Sequence, residues 1–418
     1  MTATDATDAW RSGGVESRYA WMRLAAVTLL GTIGGVGMWS VVVMLPFVQA
    51  EFGTARGEAS LPYTFVMLGF VGGGVLFGRM ADRHGAMRPA LIAAVSLCLG
   101  YVATSMAPSM FVFAVLSGVL IGLFGASAVF APLAADTSRW FDRNRGIAVA
   151  LGISGNYFAG AIWPPILQVL VADHGWRGTH LVVGVICIVT MVPLALVLRR
   201  RVPPHAAPTP GLARSPDDPM PLGLSRNTLQ GLLMVAAIAC CVAMSMPQVH
   251  IVAYCVDLGY GPARGAEMLS LMLATGIVSR LVSGWVMDRI GGLATLLLGS
   301  VLQAIALALY LPFDGLVALY IVSGVFGLFQ GGIVPAYAFI VREYFPAAQA
   351  GVRVGFAISA TLAGMALGGW LSGVMFDITG SYQAAVLNGL AWNALNVTIV
   401  AWLLRRALVR AEPAAATA

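Results

Sequence analysis

The sequence has no lysine: all 24 of its basic side chains are arginine. A phosphate-gripping loop of the GxxxxGK[ST] type needs its lysine, so an ATP-driven motor within this chain is excluded. Schiff-base chemistry lacks its amine for the same reason. Charge of either sign is scarce. Only 10% of the 418 residues are charged, against about a quarter in a soluble globular protein, so most of the chain is not built to face water. The five cysteines (Cys98, Cys187, Cys240, Cys241 and Cys255) form no CxxC pair and lie in or beside apolar runs. They read as small packing hydrophobes, not as redox or metal ligands. Neither a metal nor a cofactor is expected. Titratable groups are too sparse along the apolar runs to assemble the clustered site an enzyme requires. The net charge of +6 would ordinarily raise nucleic acid as a partner, but the hydrophobic content excludes that reading.

What the sequence has in abundance is apolar length. Hydrophobic residues make up 59% and the mean hydropathy is +0.85. Twelve apolar runs fall near 24–48, 61–80, 89–107, 110–134, 146–171, 179–198, 228–254, 266–287, 293–312, 316–340, 354–375 and 384–404. Each approaches the roughly 20 residues a helix needs to cross a bilayer. The expectation is an all-α membrane protein with twelve transmembrane helices in two pseudo-symmetric six-helix bundles. A tail (1–23) precedes the first bundle (24–198), and a polar linker (199–227) with seven prolines and Asp217-Asp218 separates it from the second (228–404). A short tail (405–418) follows. The N-terminal stretch carries no small-residue cleavage site and reads as a cytosolic tail.

Arginine placement sets the expected orientation. With the N-terminus inside, 20 arginines fall on the cytoplasmic side and three (Arg56, Arg177, Arg264) outside. The positive-inside rule then puts both termini and the linker in the cytoplasm. Arg280 belongs to neither side.

The halves repeat. Gly78-Arg-Met-Ala-Asp82-Arg83-His-Gly85 follows the second run, and Gly284-Trp-Val-Met-Asp288-Arg289-Ile-Gly291 follows the eighth, an offset of 206. Glu51-Phe-Gly53 and Asp257-Leu-Gly259 match at the same offset. Weaker echoes stand at Asp173-His-Gly175 and Gly373-Val-Met-Phe-Asp377-Ile-Thr-Gly380. A six-helix repeat with a three-helix echo suits a carrier that rocks two bundles around a central site.

These motifs carry a resemblance. Gly78 to Arg88 resembles the major facilitator signature G-x-x-x-D-R-x-G-x-x-R between spans two and three. The stretch Trp140-Phe141-Asp-Arg143-Asn-Arg145-Gly-Ile-Ala148-Val-Ala-Leu-Gly152-Ile-Ser-Gly155 is similar to the fifth-span signature of the monocarboxylate and oxalate–formate porter group, and Gly175-Trp176-Arg177 fits it too. The resemblance implies a secondary carrier for a small organic anion, by symport with a proton or exchange for a counter-anion, in a bacterial inner membrane. It also implies that spans two and eleven, and five and eight, meet between the halves. Asp82 and Asp288 would then meet Arg353 and Arg145, with Arg83 and Arg289 beside them, as an inner gate. The chain departs from animal monocarboxylate porters in two places. It has Gly34-Gly35-Val-Gly37-Met-Trp39 and no lysine in the first span, and Gly276 where they carry an aspartate.

Five residues are expected at the substrate site. Arg280 lies eight residues before Asp288, about 12 Å inside its helix, near the middle of a core about 30 Å thick. An arginine there costs from about 3 to beyond 10 kcal/mol unless it faces a cavity or partner. No acidic residue falls deep in an apolar run, so a guanidinium fork that takes a carboxylate is the sharper reading and snorkelling the plainer one. His250, about one turn from the outer end of span seven, either packs or exchanges a proton. Asn156 and Tyr157 in span five and Tyr337 in span ten either bond neighbouring helices or line the site. Glycine pairs Gly69/Gly73, Gly74/Gly78, Gly364/Gly368 and Gly369/Gly373 are read as close-packing faces, static or sliding. An exporter of amphipathic drugs and a non-transporting receptor are the competing functions.

Overall fold

The computed structural model describes residues 15–141, 144–200 and 220–415. The linker from 201 to 219 and the Arg145 side chain lie outside the described set. Among the described residues every regular element is a helix. Ten helices among the described residues are long and apolar enough to cross a membrane. One of them, Ile147–Val197, is broken at Gly175 (φ 66°, ψ 172°), and Gly292–Ala308 is a shorter apolar helix beside the ten. The expected count of twelve spans depends on how these two are taken. Helices suit this composition because a backbone in hydrocarbon must satisfy its own N–H and C=O groups. The chain forms two compact units, one of residues 1–54 and 59–209, the other of 55–58 and 210–418.

In the first unit, helices Arg18–Gly34 and Val36–Phe52 meet at Gly35. A Cβ on Gly35 would stand 2.6 Å from Ala159 Cβ, and one on Gly34 2.6 Å from Val129 Cγ2, so neighbouring helices press onto this joint. The run expected as one span at 110–134 is irregular. Helix Met110–Leu116 passes into a π-helical stretch, Ser117–Leu123, then a 3-10 turn, Ala126–Val129, then helix Ala131–Thr137. The cause is close approach of backbones. A Cβ on Gly118 would meet Phe65 Cβ at 2.7 Å, and one on Gly122 would meet Val66 O at 2.6 Å. Serines occupy the displaced carbonyls: Ser96 donates to Leu120 O (2.8 Å) and Ser127 to Leu123 O (2.6 Å).

The second unit is built around helix Arg226–Asp257, whose N-terminus Ser225 caps through Thr228 N (3.1 Å). Every residue from Ala239 to Ala253 is buried. A helix buried on all sides belongs at a core. Helix Ala347–Thr379 lies against it: a Cβ on Gly364 would be 2.5 Å from Ile238 O, and one on Gly368 2.4 Å from Ser245 Oγ. Helix Leu316–Gln330 gives way to Ile333–Tyr344 at Gly331-Gly332, where a Cβ on Gly331 would be 2.3 Å from Gly276 O.

These contacts sort the glycine pairs. Gly364 and Gly368 form close-packed seams inside the second unit. Gly69 and Gly73 are the same inside the first, packed on Gly118 O and Ser127 Oγ at 2.2 and 2.0 Å from where a Cβ would sit. Gly74 and Gly78 have nothing within 4 Å of an added Cβ.

Candidate functional site

Arg280 sits on helix Pro262–Ile290, half-buried. The same helix turns its small residues Gly276, Ser279 and Ser283 toward the Gly331-Gly332 break, so Arg280 flanks a tight helix–helix seam. Such a seam holds the Cα of Arg280 firmly while its long side chain keeps its reach.

Asn156 and Tyr157 lie on the Arg145–Val197 helix in the first unit. Asn156 stands beside the Gly35 joint. Trp39 Nε1 donates to its carbonyl (3.1 Å), its Nδ2 reaches Met38 Sδ (3.7 Å), and a Cβ on Gly35 would be 3.4 Å from its Oδ1. Tyr157 is buried. Tyr337 is enclosed in the second unit, where its hydroxyl donates to Asn396 Oδ1 (3.0 Å). Asn396 Nδ2 continues to Ser300 Oγ (2.7 Å), and Asn393 Nδ2 to Ser300 O (2.9 Å). Polar groups in hydrocarbon are satisfied by one another in this way.

His250 is fully buried and both ring nitrogens are occupied. Nε2 lies 2.8 Å from Gly369 O, which can only accept, so Nε2 carries the proton and Nδ1 accepts from Tyr382 OH at 3.1 Å. Tyr382 in turn accepts from Arg56 Nη1 (3.0 Å). Arg56 donates Nη2 to Asp257 Oδ1 (3.0 Å) and its guanidinium lies 4.7 Å over Phe376. Asp377 receives the backbone N–H groups of Arg56 and Gly57, both at 2.7 Å, at the start of the short helix Arg56–Ala59. The four residues 55–58 are thus held by both oxygens of one carboxylate, a second carboxylate and a phenol. Sequence reasoning assigned none of Arg56, Asp257, Asp377 or Tyr382 to a site. The signal lay in the repeats: Asp257 and Asp377 both occupy the acidic position of an echo motif.

Of the charged residues expected at an inner gate, Asp82, Arg353 and Arg289 have described contacts within their own units. Asp82 is paired with Arg139. Arg353 donates to Gln349 Oε1 (3.0 Å) and lies 4.6 Å over Phe345. Arg289 lies 3.7 Å over Trp285, and Asp288 is exposed, as is Arg83. Among the described residues no group of His, Cys, Asp or Glu could hold a metal.

Helices of membrane-spanning length in two units, with internal repeats, define a polytopic membrane protein. The sequence profile of the Major Facilitator Superfamily matches residues 27–317 and 265–417, and the chain belongs to that superfamily. It is 27% identical to rat monocarboxylate transporter 13 over 375 residues, covering 85% of this chain and 81% of the relative. It is 28% identical to the bovine transporter of the same name over 396 residues, covering 90% and 87%. The fold matches the crystal structure of a bacterial homolog of the human lysosomal transporter Spinster, with a TM-score of 0.69 at 13% identity, covering 92% and 96%. The chain is therefore a multi-pass membrane transporter resembling the monocarboxylate group, and its relatives are transporters, not enzymes.

Proposed function

We propose that this transporter moves a small organic anion of the monocarboxylate class by alternating access, with Arg280 holding the carboxylate. The observation that carries the reading is a permanently charged, half-buried guanidinium on a helix of membrane-spanning length, in a chain whose relatives include two monocarboxylate transporters. An anion exchanges its water shell for two parallel N–H bonds from the fork, a geometry lysine cannot reproduce. Asn156 and Tyr157, beside the glycine joint of the first span, belong to the proposed substrate-binding set. His250 and Tyr337 belong to the same proposed substrate-binding set. Charge balance comes from a proton carried with the substrate or from exchange for a second anion.

The architecture that goes with this reading is twelve spans in two six-helix bundles. Both termini and the linker lie in the cytoplasm of a bacterial inner membrane. Asp82, Arg83, Arg145, Asp288, Arg289 and Arg353 form the inner gate. Isothermal calorimetry with small monocarboxylates on purified protein tests the substrate assignment. Arg280→Gln should bind at least about 30-fold more weakly, since losing one partner of a buried charge pair costs roughly 2 kcal/mol or more. Arg280→Lys should fall between it and wild type. A folded Arg280→Gln with wild-type affinity would remove Arg280 from the site.

A further inference from the structure

Helices Pro262–Ile290 and Leu316–Gln330 leave between them a groove of about 340 Å³. Leu271 and Thr275 wall one side; Tyr320, Ile321, Gly324 and Leu328 form the other. Leu271, Ile321 and Leu328 are 37%, 61% and 42% exposed, so the groove opens outward to hydrocarbon and not into a helix seam. Thr275 does not make it polar. Its hydroxyl lies within reach of the carbonyls of Leu271, Met272 and Gly324 at 3.1, 3.1 and 2.9 Å. Gly324 lines the groove without a side chain; a Cβ there would stand 3.5 Å from Leu271 Cδ2, an ordinary contact, so a side chain as large as leucine is needed to fill the trough.

One end of the groove is charged. Tyr320 belongs to both parts: it lines the trough, and its hydroxyl donates to Glu267. Glu267 pairs with Arg264 at 2.9 Å, and both side chains remain about half exposed (43% and 53%). Glu267, Leu271 and Thr275 recur every four residues along one helix, as do Tyr320, Gly324 and Leu328 along the other. Charge and trough therefore lie on one line about 12 Å long.

A cation and an anion side by side at one end, followed by a hydrocarbon trough, match the outline of a zwitterionic lipid. We propose that this is a binding site for a single phospholipid with an ethanolamine headgroup. Its phosphate meets Arg264, its ammonium meets Glu267, and one acyl chain lies over Gly324. Arg264 offers a fork suited to phosphate, and Tyr320 places an amphipathic ring where headgroup gives way to tail. An anionic headgroup without an amine would satisfy Arg264 and be repelled by Glu267. The proposal needs only a membrane-embedded chain and stands apart from the anion site.

The test is native mass spectrometry of the full-length protein in detergent, titrated with palmitoyl-oleoyl phosphatidylethanolamine or phosphatidylglycerol. Wild type should retain one ethanolamine lipid at collision energies that strip the glycerol lipid. Glu267→Gln should lower that preference by about tenfold, the weight of one charge-assisted hydrogen bond. Gly324→Leu should abolish the retained adduct of either lipid. Val185→Leu, on an exposed face of the first unit, should leave it intact. Thermal midpoints of all variants check folding. Equal retention of both lipids by wild type, or an undiminished adduct in folded Gly324→Leu, would overturn the proposal. So would a copurifying protein that covers the groove in place of lipid.

Discussion

Two ion pairs in the first unit show how far context decides what a charged residue is worth. Arg23 donates Nε and Nη2 to one oxygen of Asp136 at 2.9 and 2.6 Å, with both side chains under 10% exposed. Arg139 and Asp82 are paired as well, but at 44% and 59% exposure. Removing one partner of the first pair leaves a buried charge; removing one of the second leaves a solvated one. Asp136→Asn should therefore destabilise by about 3–5 kcal/mol, and Asp82→Asn by less than about 1 kcal/mol. Thermal unfolding of the two variants in one detergent checks the contrast. Equal shifts would mean that the Arg23 pair is wetter than its burial implies. Sequence reading reached some of these residues and not others. Arg280 was legible because a charge deep in an apolar run has few bland explanations. The Arg56 cluster was not. Its members are 326 positions apart at the widest hydrogen bond, and each alone looks like an ordinary loop or helix-end residue.

Helices in this chain are bent where backbones touch. The stretches Ser117–Leu123 and Gly331-Gly332 both leave regular α geometry, and both lie where glycine admits a neighbour's carbonyl. The glycine spacing was legible as close packing, but the partner was not, because a small residue carries no mark of which helix it faces. Substitution separates the cases. Gly331→Ala puts a Cβ 2.3 Å from Gly276 O, a backbone atom that cannot swing aside, and should cost about 1–3 kcal/mol. Gly78→Ala meets nothing within 4 Å and should change stability by no more than about 0.5 kcal/mol unless the helix gains slightly from losing glycine. Thermal midpoints of the two alanine variants are the measurement. A neutral Gly331→Ala would show that the helix break gives way easily.

Across the whole molecule the 206-residue offset runs deeper than the motifs that first revealed it. Gly85 and Gly291 both sit at φ 82°, and Gly53 and Gly259 at 61° and 82°, a left-handed region that favours glycine. Gly118 and Gly324, and Gly125 and Gly331, recur at the same offset in the two irregular spans. Motif letters exposed the first set; the second shows its meaning only once the backbones that press on it are seen. With the proposed six crossings in each half, an even number, both halves begin on the same side. The proposed orientation follows from this and from the 20-to-3 division of arginines. The three arginines on the sparse side are all tied down, Arg56 to Asp257, Arg177 to Glu51 and Arg264 to Glu267. A membrane-impermeant maleimide reads the sidedness directly. Four of the five native cysteines are buried and Cys98 is partly so, which leaves a low background. Ser225→Cys, exposed just before helix Arg226–Asp257, should label only after permeabilisation. Asp314→Cys, exposed between helices Gly292–Ala308 and Leu316–Gln330, should label in intact cells. The reverse pattern would invert the topology, and labelling of both in intact cells would mean that an even number of crossings, not three, lies between the two sites.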